Sequence, residues 1–196
     1  MRSLFFILIF LCLTNANGQS NPYLTFNREQ NQINKKGFLT LGTWSVLNLA
    51  TSGVGYFRGS GENKYFHQMN LAWSGINLGL AIPGLIEAYV KPEFNLTSAQ
   101  TIRKNQKLQK IFLFNAALDI AYVTTGLFLR PLSENNPMKE QQIRGYANAI
   151  ILQGGFLLFF DSTMYFLHNR HFKASFNENL EIGFAPSMFQ LKWCFN

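Results

Sequence analysis

Two carboxyl groups stand where the chain otherwise carries no charge: Asp119 inside the apolar run 111–129 and Asp161 inside the run 145–168. An ionised carboxylate at the middle of a bilayer costs at least about 2.5 kcal/mol. None of the long apolar runs contains a Lys or Arg that could pair with either one. A protonated carboxyl escapes that cost, and one that gains and loses its proton at such a depth handles protons or cations. A neutral carboxyl also serves as a hydrogen-bonding group between helices. Asp119 and Asp161 are therefore candidates for proton or ion handling, with helix packing as the alternative.

Asparagine and glutamine accompany them. A helix rises about 1.5 Å per residue, which puts Asn48, Asn77 and Asp119 near the middle of their runs. Gln153 and Asp161 lie roughly 5 and 7 Å either side of the middle of theirs. Asn115 precedes Asp119 by one turn on the same helix face. The expected arrangement is one buried polar layer of Asn48, Asn77, Asn115, Asp119, Gln153 and Asp161. Its amides would join spans at about 1 kcal/mol each.

The stretch Trp44-Ser45-Val46-Leu47-Asn48-Leu49 returns as Trp73-Ser74-Gly75-Ile76-Asn77-Leu78. Trp and Asn four residues apart project from one face, so the copies predict related packing roles. A looser echo links Asp119 to Tyr122 with Asp161 to Tyr165. Gly75 and Gly79 form a small-xxx-small pair suited to close helix approach.

Three histidines invite a haem or metal reading. His67 opens one run and His168 closes another that goes the same way, which separates them by about the 30 Å thickness of a hydrocarbon core. His168 and His171 lack a third ligand at close spacing, so all three read as interfacial residues and neither metal nor cofactor is expected. Tyr65, His67 and Asn70 form an interfacial motif at the headgroup level. No Ser-His-Asp order, HExxH, CxxC or nucleotide-binding glycine fingerprint occurs. No catalytic residue is assigned, and the reading leans away from an enzyme.

The elements that must position these residues follow from composition. Of 196 residues 47% are hydrophobic and only 14% charged, against about 25% charged in ordinary soluble domains. The shortage of charge points to lipid as the surrounding solvent. The mean hydropathy of +0.01 averages four apolar runs, 38–57, 66–89, 111–129 and 145–168, with polar connectors. Each run matches the roughly 20 residues of a membrane-spanning helix. The net charge of +7 resides in connectors, where anionic lipid headgroups rather than nucleic acid are its partners. The fold class expected is an all-α antiparallel bundle of four transmembrane helices, with the turn 58–65 and the polar connector 91–107 among its links.

Residues 1–18 have the charged start, short apolar region and small-residue site of a signal peptide. Its removal would discard Cys12 and leave Cys194. Residues 19–37 read as a polar surface segment with one amphipathic turn. The tail 169–196 alternates, with Phe189, Leu191, Trp193 and Phe195 on one side, and reads as a small β-hairpin that leans on the membrane or a protein partner. An outer-membrane barrel is disfavoured, since its strands alternate while these runs are continuous. Export places both termini in the periplasm and the protein in the inner membrane. That orientation puts most Lys and Arg outside, against the positive-inside tendency.

Tyr65-Phe66-His67-Gln68-Met69-Asn70 with Trp73 and Asn77, and Gln153-Gly154-Gly155-Phe156-Leu157-Leu158-Phe159-Phe160-Asp161, resemble an uncharacterised family of small membrane proteins from Bacteroidota. The resemblance runs from about Gly37 to His168. It implies four spans and a signal-like start, and no activity. The function expected is a non-enzymatic structural or interaction role in the bacterial envelope. The alternative is a small transporter or proton-coupled component using Asp119 and Asp161, and the two readings differ in whether the aspartates meet a cavity or a dry interface.

Overall fold

The computed structural model describes residues 22–176, 180–185 and 188–193, with side chains described over 23–176. Four long helices make the fold: α1 (Pro22–Arg58), α2 (Gly61–Tyr89), α3 (Ser98–Leu132) and α4 (Glu140–Phe176). A single 3-10 turn, Ser133–Asn135, follows α3. α1 packs on α2, α3 on α4 and α2 on α4, whereas α2 and α3 barely touch. The signal-peptide segment lies outside the described residues, as does Cys194. After Phe176 the description holds only an antiparallel backbone pairing of Leu180–Ala185 with Met188–Trp193, whose side chains lie outside it.

α2, α3 with its short extension, and α4 are long and apolar enough to cross a membrane. This is compatible with a membrane protein. α1 has the length but is not among them, because Thr40, Gly42, Thr43, Ser45, Asn48, Thr51 and Ser52 dilute its uncharged run.

The helices overrun the expected limits. The segment 19–37 is helical from Pro22 onward and continuous with the run 38–57. Its polar groups explain the difference: Asn27 donates to the Phe94 carbonyl and to Thr101 Oγ1, both at 3.0 Å. Asn31 donates to the Ala88 carbonyl, and Gln30 accepts from Asn105. What reads as a solvated segment instead satisfies buried groups at the end of α2 and the start of α3. The turn 58–65 shrinks to Gly59 and Ser60, with Gly61 at φ +54° opening α2. Of the connector 91–107, residues from Ser98 onward are helical because Thr97 and Gln100 form a capping box.

The close helix approaches also differ from expectation. Nothing lies within 4 Å of where a Cβ would stand on Gly75 or Gly79. The backbones meet at Gly145 instead, where a Cβ would fall 2.4 Å from the Glu62 carbonyl oxygen, and at Gly126, where it would fall 2.8 Å from that of Ala147. The glycine pair was chosen by spacing alone, and the α2 face that carries it is not the one that packs.

Burial is inverted relative to a water-soluble bundle. The largest fully buried side chains are polar: His168, Gln30, Gln153, Asn70, Asn77 and Asn105 head the series. Leu47, Phe57, Leu80, Phe114, Phe128 and Phe159 are exposed. In water this pattern would forfeit the hydrophobic driving force. In lipid it satisfies polar groups internally, as a spanning segment requires.

Candidate functional site

The six residues expected in one polar layer fall into two clusters. In the first, Gln153 of α4 is the hub. Its Nε2 donates to Asn70 Oδ1 at 2.7 Å and to Asn48 Oδ1 at 3.4 Å. Its Oε1 accepts from Trp44 Nε1 at 3.0 Å and from Asn77 Nδ2 at 3.4 Å. One amide thereby joins α1, α2 and α4 with all of its hydrogen-bonding capacity in use. Both Trp-Ser-x-x-Asn copies converge here, each delivering its Asn to Gln153, while Ser45 and Ser74 are fully buried. Trp44 stacks on Phe156 at 4.0 Å, and Trp73 meets Tyr122 edge-on at 4.9 Å.

Asn70, expected at the headgroup level with Tyr65 and His67, belongs to this hub and is 1% exposed. It lies two turns before Asn77 on the same face of α2, and because the helix begins at Gly61 it is already well inside the bundle. Tyr65 packs edge-on against Tyr146, and His67 Nδ1 lies 3.3 Å from Ser52 Oγ. Both are partly buried.

The second cluster is Asn115, Asp119 and Asp161. Asp119 and Asp161 stand beside one another, with Asn115 next to Asp161. They are 3% and 4% exposed. Asp119 Oδ2 is buried without a hydrogen-bond partner.

These groups line a cleft of about 300 Å³. Its walls are α2, with Trp73, Ile76, Asn77 and Leu80, and α3, with Ile111, Asn115, Leu118 and Asp119. Leu108, Phe112 and Tyr122 of α3, Phe38 and Leu41 of α1, and Leu157, Phe160 and Asp161 of α4 complete the lining. The cleft exists because α2 and α3 touch only sparsely, at Trp73 with Tyr122 and at Glu87 with Lys104. Ile76, Leu80, Ile111 and Leu118 are exposed as well as lining it, so its mouth faces the apolar outer surface. Asn77 lines the cleft and also donates to Gln153, which couples the two clusters.

His168, expected at an interface, is fully buried, stacked on Phe112 at 5.6 Å with neither ring nitrogen hydrogen-bonded. The cause is that α4 continues to Phe176. His171 stacks on Phe26 and has a ring nitrogen 3.1 Å from the Phe26 carbonyl and another 3.6 Å from Glu29. Among the described residues no group of three or more His, Cys, Asp or Glu could hold a metal ion. Sequence reasoning missed Trp44, Asn70 and His168 as interior polar groups. The Trp-Ser-x-x-Asn copies carried a signal for the first.

Comparison with family models matches residues 40–162 to the family of unknown function DUF6992. The match covers more than half of the chain and includes the hub and both aspartates, and the chain belongs to that family. No curated protein and no solved structure matches.

Proposed function

We propose that this DUF6992 member is a multi-pass protein of the bacterial inner membrane, acting as a small proton-coupled transport component through Asp119 and Asp161. The observation that carries the reading is that the carboxyl pair lines a cleft rather than a dry helix interface. Within that lining Asp119 Oδ2 is buried without a hydrogen-bond partner. The hub of Gln153 then has the structural task of holding α1, α2 and α4 in register around the cleft.

A non-enzymatic structural role for the whole protein is the second reading, favoured by the fully bonded Gln153 amide. In either case α1 serves as a fourth span, export is signal-directed and both termini are periplasmic. The tail forms a hairpin available to a protein partner.

The test is proton flux in proteoliposomes of full-length protein carrying an internal pH-sensitive dye. The wild type should dissipate an imposed pH gradient faster than protein-free vesicles, and Asp119→Asn or Asp161→Asn should remove most of the difference. Equal flux in wild type and both variants would leave only the structural role.

A further inference from the structure

We infer that the cleft between α2 and α3 binds a primary ammonium group on a small apolar body, admitted sideways from the hydrocarbon layer. The inference rests on the reading of Asp119 and Asp161 as a functional pair in a membrane-embedded bundle, and it names the ligand class of that pair.

Charge fixes the sign of the ligand. Asp119 and Asp161 both line the cleft and no Lys or Arg does, so any charge held there is negative. A cation is the complement. Hydrogen-bonding capacity narrows the cation further. A primary ammonium offers three donors and no acceptor, and the deep end of the cleft offers acceptors, among them the buried, unpartnered Asp119 Oδ2. Trp73 and Tyr122 add two aromatic rings to the same lining, and aromatic faces attract desolvated cations. A divalent metal ion is a poorer occupant, since hard cations take six or more oxygen ligands.

The mouth fixes the rest of the molecule. Ile76 and Leu80 from α2 and Ile111 and Leu118 from α3 are both exposed and cleft-lining. A ligand entering past them crosses apolar side chains, which suits a hydrocarbon or aromatic body behind the ammonium. A volume of about 300 Å³ is at the small end for ligand pockets, which points to a compact arylalkyl or short alkyl amine.

The experiment uses full-length protein in lipid nanodiscs and tritiated 2-phenylethylamine as the probe, with empty nanodiscs subtracting partition into lipid. Saturable binding near one probe per chain is expected. 2-Phenylethanol, the neutral counterpart, should compete at least tenfold more weakly than unlabelled amine. The Asp119→Asn/Asp161→Asn double variant should bind at least tenfold more weakly. Leu80→Trp, which narrows the mouth without touching a carboxyl, should slow probe entry at least severalfold. It keeps the test decisive should the double variant misfold. Equal competition by the alcohol, binding unchanged by the double variant, or no saturable binding to folded wild type would each overturn the inference. Proton flux that depends on the aspartates, without saturable amine binding, would sink this ligand class and leave the transport reading standing. Saturable, aspartate-dependent amine binding without flux would support the ligand site and remove proton coupling.

Discussion

At the scale of single residues, the interior holds a fully bonded amide, Gln153, and a carboxyl oxygen without a partner, Asp119 Oδ2. Replacing Gln153 by Leu would strand Trp44, Asn48, Asn70 and Asn77 at once. Hydrogen bonds between membrane helices average below 1 kcal/mol each, and buried orphaned groups cost more, so the variant should lose about 2 kcal/mol. Thermal unfolding in detergent would measure this. Asn48→Ala removes one long bond to the hub and should lose clearly less. Asp119→Asn keeps shape and hydrogen-bonding capacity, so its melting temperature should stay close to wild type while its flux falls. The positions of Asn48, Asn77, Asp119, Gln153 and Asp161 along their helices follow from a fixed rise per residue. Which of them touch does not, because contact depends on how each helix is rotated. Asn70 and His168 were misplaced for one reason: hydropathy marks where apolar residues stop, and both helices extend past that point.

At the scale of elements, the sequence located four helices and missed their ends. Turn and cap chemistry decides the ends, and Thr97 with Gln100 was a readable capping box hidden inside a stretch that looked like a polar connector. Thr97→Ala should destabilise α3 by about 1 kcal/mol, again measured by thermal unfolding. Small-residue spacing misled in the opposite way. Gly145→Val would drive two methyl groups into the backbone of α2 near Glu62 and Phe66, and overpacking of this kind costs about 2 kcal/mol. Gly75→Ala meets open space and should leave the melting temperature unchanged or slightly raised. If Gly75→Ala instead proved the more damaging variant, the helix faces assigned here would be in error.

At the scale of the whole molecule, polar residues inside and apolar residues outside describe a bundle arranged for lipid, with polar caps at both ends. One cap links α1 to α3 and α4 through Asn27, Gln30, Glu29 and His171. The other links α2 to α4 through Glu62, Asn148 and Arg144. Between them α2 and α3 barely touch, and the carboxyl pair lies behind that gap. The charge shortage in the composition pointed to lipid, but no local pattern announces so sparse a contact between two helices. The central claim is that the lipid phase reaches a protonated carboxyl through this cleft. Dicyclohexylcarbodiimide, an apolar reagent that adds to protonated carboxyl groups, tests it most directly when applied to membranes and mapped by mass spectrometry. The expected result is an adduct on Asp119 or Asp161 that disappears in the Asp119→Asn/Asp161→Asn variant and is suppressed by 2-phenylethylamine. Both aspartates unmodified, under conditions where the reagent labels other membrane-embedded carboxyls, would contradict it.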